Sequence, residues 1–180
     1  MDDMIDGPND ATPLNHFWGN LFHIDYDSMK PPKPGTTRQT HKFGAPKFDA
    51  KINLYSDGSV TKNNAAAGLY ICGGLDRQSY NLGPNVTIWQ AETYGVKKCA
   101  QWLIKNAKDI KDEHCVIYVD SQACIKSLGK YSTKSKLATR TIHLLNAAAK
   151  RCKKLTIRWV RSHQTDPEFI CNNNADALAN

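Results

Sequence analysis

Hydrophobic and polar residues alternate along residues 52–59, which read Ile-Asn-Leu-Tyr-Ser-Asp-Gly-Ser. The alternation predicts a β-strand with Ile52 and Leu54 on one face and Asp57 on the other. The Gly-Ser pair that follows predicts a turn, so we expect Asp57 at the rim of a sheet. A carboxylate in that position is accessible to a metal or a substrate. The alternative is an aspartate that only opens the turn.

Two further segments, residues 65–72 and 77–82, predict a second and a third strand. Short turns between three successive strands are typical of an antiparallel meander. Helical periodicity then extends over residues 90–107. Glu92 lies in the first turn of this helix on its inward stripe, which is unusual because burial of an unpaired charge is costly.

A continuous apolar run at residues 115–119 predicts a strand that is covered on both faces, and Asp120 follows it directly. A short helix is predicted over residues 121–128. A second helix is expected after Tyr131-Ser132-Thr133, because serine and threonine are favoured at the position that caps a helix.

The last predicted elements are a strand at residues 155–160 and, after a loop that contains His163, a helix at residues 173–179. The order β-β-β-α-β-α-α-β-α predicts the α/β class, with a mixed sheet flanked by helices. We assign this single domain to residues 49–180. Residues 1–48 lack a sustained pattern and are predicted to form a partly irregular N-terminal extension or linker.

The composition agrees with one globular domain. A chain of 180 residues with 41% hydrophobic content can bury one core, and no run approaches the ~20 apolar residues that span a bilayer. The N-terminus resembles no signal peptide, so an intracellular protein of the nucleus or cytoplasm, without a membrane partner, is expected. Six cysteines without a Cys-x-x-Cys pair are expected to be small buried thiols rather than disulfides or zinc ligands.

Positive charge is concentrated in the second half of the chain. The net charge is +7, and the 45 residues between Asp120 and Asp166 contain eleven Lys or Arg and no acid. Such a stretch can be a solvated face, but beside isolated carboxylates it favours a polyanionic partner, most simply nucleic acid.

Four carboxylates occupy positions that a mixed sheet of this order can bring to one rim: Asp57, Glu92, Asp120 and Asp176. Without a cation these groups would repel, and some would be forced to bind protons. Mg²⁺ resolves the conflict because it prefers oxygen ligands, and two such ions are suited to phosphodiester hydrolysis. The acids and the bases together therefore predict a nuclease.

Polar groups beside the acids are candidates for substrate binding. The side chains of Ser59, Ser121 and Gln122 and the backbone near Gly58 are suited to contacts with phosphate or ribose oxygens. Each also has a purely local alternative as a turn or cap residue.

Five successive motifs resemble those of type 1 ribonuclease H: Tyr55-Ser56-Asp57-Gly58-Ser59, Gln90-Ala91-Glu92, Val119-Asp120-Ser121-Gln122, Trp159-Val160-x-Ser162-His163 and Asn172-x-x-Ala175-Asp176. The segment Thr133-Lys134-Ser135-Lys136-Leu137 is similar to domains of non-LTR (LINE-type) retrotransposons. The resemblance covers residues 49–180.

The resemblance implies a ribonuclease H-like fold with a five-stranded mixed sheet and an RNA–DNA hybrid as the substrate. It implies that the four acids hold two Mg²⁺ ions, for which Mn²⁺ can substitute, and that His163 assists proton transfer or product release. The domain is expected to be monomeric and to be part of a larger reverse-transcriptase polyprotein.

The loop after His163 departs from the family pattern. Asp176 lies thirteen positions after His163, and Gln164-Thr165-Asp166-Pro167-Glu168 contains no glycine. A nucleic-acid-binding module without catalysis is therefore the alternative. An integrase or a proofreading exonuclease does not fit the acid order Asp-Glu-Asp-Asp.

Overall fold

The structure is a computed structural model, and it describes residues 7–17, 19–35, 43–44, 47, 49–72 and 76–161. Four sequence predictions fall outside these residues: the thiol of Cys171, His163, Asp176 and the helix at residues 173–179. In the described part, two 3-10 helical turns occupy Gly7–Asn9 and Tyr26–Met29.

The longer of the described strands and helices follow the predicted order, and four short elements that were not predicted are added to it. The strands are β1 (Asn15–His16), β2 (His23–Asp25), β3 (Ile52–Thr61), β4 (Asn64–Ile71), β5 (Asp76–Gly83), β6 (His114–Val119), β7 (Ser132–Thr133) and β8 (Lys154–Trp159). The helices are α1 (Ile88–Lys105), α2 (Ala107–Ile110), α3 (Gln122–Leu128) and α4 (Lys136–Ala149). The four short additions are β1, β2, α2 and β7.

The main sheet of the described chain has the strand order β2-β8-β6-β3-β4-β5. β3, β4 and β5 pair antiparallel, as the predicted meander requires. β3–β6, β6–β8 and β2–β8 pair parallel. The mixed sheet with flanking helices is confirmed, but it has six strands instead of five. The additional strand, β2, has only three residues, too few to produce a periodic pattern in the sequence.

Two local predictions were wrong. β3 does not end at Asp57 but continues to Thr61, because Gly58 and Ser59 remain paired with β4. Residues 132–133 do not cap α4. They form β7, which pairs with β1, and the side chain of Ser135 accepts the capping hydrogen bond from the backbone of Ala138 instead.

The two faces of β3 pack against different clusters, as its alternation predicts. Leu54 belongs to the larger cluster, which includes side chains of α1 and α4, and Tyr55 belongs to a smaller cluster with Tyr118. The rings of Tyr55 and Tyr118 stack with centroids 4.7 Å apart. Burial on both faces gives the strand the rigidity that a binding site requires.

Residues 7–17 and 19–35, here termed the N-terminal segment, are part of this packing. Phe17, Phe22, Ile24 and Met29 are buried in the larger cluster. The Asp10 carboxylate accepts hydrogen bonds from Ser135 and from the backbone N–H of Leu137, so it caps α4 from outside the helix. The described residues of this segment therefore pack as part of the domain.

A buried ion pair joins this segment to β8. The guanidinium of Arg158 donates to Asp25 at 2.7 Å and to both oxygens of Asp49 at 2.7 and 3.2 Å. Burial raises the pKa of Asp25, but the hydrogen bond and the charge of Arg158 outweigh this effect and lower it below the usual 3.8. Arg158, one of the eleven Lys or Arg residues between Asp120 and Asp166, therefore forms ion pairs within the protein.

The cysteines follow the prediction only in part. Cys99, Cys115 and Cys124 are buried free thiols, and Cys152 is a half-buried one. Cys72 is disulfide-bonded, which contradicts the expectation at that position. Among the described residues, no helix combines the length and the apolar character needed to cross a membrane.

Candidate metal centre

Three different elements bring one carboxylate each to a common point. Asp57 lies on β3, Glu92 on α1, and Asp120 directly after β6. One oxygen from each of the three carboxylates lies within 4.8 Å of the others. Asp57 is 6% exposed, so the cluster is not an ordinary group of acids on a solvated surface.

The position of Asp57 follows from the end of β6. The parallel ladder between β3 and β6 runs to the pair Ser56–Val119, and β6 stops there. Asp57 is the next residue of β3, and Asp120 is the next residue after β6. The two acids are therefore neighbours at the point where the ladder ends. Asp57 therefore lies at an edge of the sheet, as predicted. The edge arises because β6 ends next to Asp57, and not because β3 ends there.

Glu92 joins them because α1 approaches β3 very closely at Gly58. A Cβ atom at residue 58 would lie 2.4 Å from the backbone nitrogen of Glu92 and 2.5 Å from the carbonyl carbon of Ala91. A second glycine, Gly95, allows the same contact one turn later, where a Cβ atom would lie 3.2 Å from the carbonyl oxygen of Asp57. The space at Gly58 is thus filled by the helix backbone.

The first turn of α1 is fixed by a capping box. The side chain of Thr87 accepts from the backbone of Gln90, and the Gln90 side chain accepts from the backbone of Thr87. The side-chain amide of Gln90 also donates to the backbone carbonyl of Gly7 at 2.8 Å. The helical turn that carries Glu92 is therefore fixed by the capping box and by this contact with the N-terminal segment.

Ser121 connects the third acid to the second. Its hydroxyl oxygen accepts from the backbone N–H of Cys124 at 3.1 Å and so caps α3. The same side chain lies close enough to Glu92 to lower the pKa of its carboxyl group. Ser121 thus acts both as a helix cap and as a direct neighbour of the acid cluster.

The environment of Glu92 disfavours its charge. Burial raises the pKa of Glu92 and the nearby negative charge of Asp120 raises it further, while the hydrogen bond with Ser121 lowers it. The result is a pKa of about 7. A carboxyl group whose pKa is raised in this way fits a cluster whose repulsion a cation would neutralise.

The donor set fits a hard divalent cation. Among the described residues, the cluster offers only carboxylate oxygens, which are the ligands that Mg²⁺ and Mn²⁺ prefer. The Cys124 thiol lies near this region, but it is fully buried and its pKa is raised to about 12 by burial, so it remains protonated. The site is therefore a candidate for Mg²⁺ rather than for a thiolate-bound metal.

The predicted substrate-binding residues lie beside the cluster. Ser59 is half-buried on β3, two residues beyond Asp57, and Gln122 is half-buried at the start of α3. Ser121 and Gly58 have the structural roles described above. Their contacts with a substrate stay a prediction, as do the roles of His163 and Asp176, which lie outside the described residues.

Sequence reasoning missed several residues that build the site. Gly95 lies inside a helical pattern, where glycine is unfavourable, and this cost was the available signal that it permits a close contact. The hydrogen bond from the Trp159 indole to Asp120 and the one from Trp159 to Ser28 gave no comparable signal, although Trp159 lies in one of the five motifs. Their roles depend on contacts between distant parts of the chain.

Comparisons with known proteins agree with this geometry. A family model described as RNase H matches residues 49–180. A search of the curated proteins finds no match. The crystal structure of RNase H1 from the halophilic archaeon Halobacterium salinarum NRC-1 is similar, with a TM-score of 0.52 and 23% identity over 71% of this chain and 93% of that chain. At this identity the similarity concerns the fold alone. On the family match, the chain belongs to the RNase H family.

Proposed function

We propose that the protein is a metal-dependent endonuclease that hydrolyses the RNA strand of RNA–DNA hybrids. The observation that carries the proposal is the cluster of Asp57, Glu92 and Asp120, whose oxygens lie within 4.8 Å of one another in a chain of the RNase H family. One buried and two half-buried acids at one point are costly for the fold, and a bound cation would offset their repulsion.

Asp57, Glu92 and Asp120 would hold the metal, and Asp176 is proposed as a fourth ligand. Two Mg²⁺ ions in such a site would activate the attacking water and stabilise the leaving oxygen of an in-line displacement. The chain itself contributes rigidity: β3, α1 and the end of β6 fix the three carboxylates before a substrate arrives. His163 is proposed to assist proton transfer or product release.

Selectivity for a hybrid requires contacts with 2′-hydroxyl groups in a wide minor groove. The backbone at Gly58 and the side chains of Ser59, Ser121 and Gln122 are proposed to make these contacts, since they lie next to the acids along β3 and α3. Contacts with sugar and phosphate carry no base information, so little sequence preference is expected.

Exposed bases would attract the nucleic acid. Five basic side chains are exposed on α3, on α4 and on the connection between them: Lys126, Lys130, Lys134, Lys136 and Arg140. Such a surface strengthens binding to the phosphate backbone and makes it salt-dependent. Weaker hybrid binding at higher salt is therefore part of the proposal.

The activity is tested with four substrates of one sequence: an RNA–DNA hybrid, duplex DNA, duplex RNA and single-stranded RNA. We expect cleavage of the hybrid RNA strand with Mg²⁺ and none with EDTA. Glu113 provides the matched control, because its carboxylate pairs with Lys51 on the surface, outside the cluster. Glu92→Gln should lose activity and Glu113→Gln should keep it. Hybrid binding without any cleavage would support the non-catalytic module instead.

We also propose that the domain is of the non-LTR retrotransposon type and acts within a larger reverse-transcriptase polyprotein, in the nucleus or the cytoplasm. The motif at Thr133–Leu137 supports this proposal. An antibody against the domain should detect a band much larger than the 180-residue chain in native extracts. A band of the size of this chain alone would contradict it.

A further inference from the structure

Trp159 forms three contacts at the point where Asp120 leaves the sheet. Its indole N–H donates to the backbone carbonyl of Asp120 at 3.1 Å. Its backbone N–H donates to the hydroxyl oxygen of Ser28 at 3.0 Å. Its ring packs against Phe43 with centroids 4.9 Å apart. Two of these three partners lie in residues 1–48, outside the family match.

The indole hydrogen bond acts on the peptide that follows the end of the ladder between β6 and β8. This parallel ladder ends at the pair Val119–Trp159, and the backbone N–H of Val160 donates to the carbonyl of Val119. The carbonyl of Asp120 is the next acceptor along the chain. Because a peptide unit is planar, the hydrogen bond that holds this carbonyl also fixes the orientation of the whole peptide unit between Asp120 and Ser121.

This peptide plane sets the position of one acid of the cluster and of its neighbour Ser121. Asp120 carries its carboxylate on the Cα atom before the plane. Ser121, on the Cα atom after it, caps α3, and its side chain lies close enough to Glu92 to lower the pKa of that carboxyl group. A change in the orientation of the plane would therefore move the Asp120 carboxylate and the Ser121 hydroxyl together.

The N-terminal segment holds Trp159 in turn. The Ser28 hydroxyl donates to the carbonyl of Asp25 at 2.6 Å, and the Asp25 carboxylate accepts from Arg158, the neighbour of Trp159 on β8. Phe43 contacts the ring of Trp159 and also the guanidinium of Arg161. The indole is thus fixed by contacts from two separate stretches of residues 1–48.

We propose that Trp159 is a positioning residue for the metal centre, acting through the backbone of Asp120, and that Ser28 holds it in place. Groups that orient metal ligands typically change metal affinity roughly 10–100-fold when they are removed. The inference rests on the proposed metal site, and it extends that site to residues outside the family match.

Trp159→Phe tests the inference because it removes the indole N–H and keeps an aromatic ring. Trp102→Phe is the matched control: Trp159 and Trp102 are 8% and 9% exposed. Trp102 lies ten residues after Glu92 on α1, about 15 Å away at the helical rise. Both variants lose a buried indole, so a loss of packing alone should lower the melting temperature of both.

The deciding measurement is a Mg²⁺ titration without nucleic acid, read by calorimetry and by the rise in melting temperature. We expect the Mg²⁺ dissociation constant to increase roughly 10-fold in Trp159→Phe. The increase in Trp102→Phe should be less than about twofold, since a site remote from the ligands has no effect on their orientation. Equal dissociation constants in the two variants would overturn the inference.

Ser28→Ala is a second test of the inference, and this variant alone decides it if Trp159→Phe does not fold. It removes one hydroxyl and should shift the Mg²⁺ dissociation constant in the same direction. An unchanged constant in Ser28→Ala would then refute the inference. Cleavage assays are run separately. Absence of hybrid cleavage by the wild-type chain would refute the proposed function, but the Mg²⁺ dissociation constants of the variants could still be compared.

Discussion

At the scale of single residues, a different structural feature positions each of the three carboxylates in the cluster. Asp57 lies where the ladder between β3 and β6 ends, Glu92 extends from a capped helical turn, and Asp120 follows the end of β6. None of the three is needed for the apolar core. Substitution of one acid should therefore remove metal binding and leave the fold intact.

Asp120→Asn should abolish stabilisation by Mg²⁺. A ligand that binds only the folded state stabilises it by about 2.7 kcal/mol at a concentration 100 times its dissociation constant. The wild-type melting temperature should rise with Mg²⁺, while that of Asp120→Asn should stay constant. Without metal the variant should be at least as stable as wild type, because one repelling charge is gone. A full Mg²⁺ response in Asp120→Asn contradicts the assigned site.

The ion pair of Asp25 with Arg158 predicts a pH dependence of stability. Because the folded pKa of Asp25 is lowered from 3.8, its contribution is fully present above that value. The contribution is lost as the pH falls through the lower folded pKa. Denaturant unfolding of wild type and Asp25→Asn should therefore differ most at neutral pH and converge in acid.

Asp27→Asn is the control for this measurement. Asp27 pairs with Lys30, but the two side chains are 83% and 74% exposed, and surface pairs of this kind contribute little. Its unfolding free energy should follow wild type at every pH. If Asp25→Asn also follows wild type, the buried ion pair does not contribute to stability as described.

At the scale of secondary-structure elements, the contact between α1 and β3 decides the geometry of the site. Gly58→Ala places a methyl group within 2.8 Å of three backbone atoms of the helix, which cannot move independently. Overpacking of this kind costs about 1–3 kcal/mol or more. Glu92 should also be displaced from Asp57, so Mg²⁺ affinity should fall together with stability.

Gly95→Ala is the graded comparison. Its methyl group would meet Asp57 and Ser56 at 3.2 Å, which is tight but less severe than the contact at Gly58. We expect the losses in melting temperature and Mg²⁺ affinity to be smaller than for Gly58→Ala. The reverse order, or tolerance of alanine at residue 58, would show that the close approach is not required.

The elements with a sustained periodic pattern were predictable from the sequence. The strands β4, β5 and β6 and the long helix α1 lie within two residues of their predicted bounds, and β3 begins where predicted but ends four residues later. Short elements were not predictable. β2 and β7 contain three and two residues, and their pairing depends on distant segments rather than on local preference. The capping of α4 by Asp10 was missed for the same reason.

At the scale of the whole molecule, the N-terminal segment is the main difference between the sequence prediction and the described structure. It adds β2 to the sheet, places Phe17, Phe22, Ile24 and Met29 in the core, and contacts α1, α4 and β8. The family match begins only at residue 49. The sequence predicted the three acids that the structure brings together, since an acid within a motif is a local signal, but it did not predict the support that this segment supplies.

A chain that starts at Lys47 should therefore be less stable than the full chain. It would lose the Asp25 partner of Arg158 and four buried apolar side chains, each worth about 1.5–3 kcal/mol on burial. We expect a lower melting temperature or aggregation, measured by thermal unfolding and light scattering. Equal melting temperatures would show that the segment is dispensable for the fold.

Cleavage of an RNA–DNA hybrid by the full chain tests the central claim most directly. Wild type, Asp57→Asn with Asp120→Asn, and Glu113→Gln are compared with the same labelled hybrid in Mg²⁺. We expect cleavage of the RNA strand by wild type and by Glu113→Gln. In the double variant, the loss should exceed the roughly 10–100-fold that changes outside the ligand shell cause. Hybrid cleavage that persists in the double variant would contradict the assignment of these acids as the catalytic metal site.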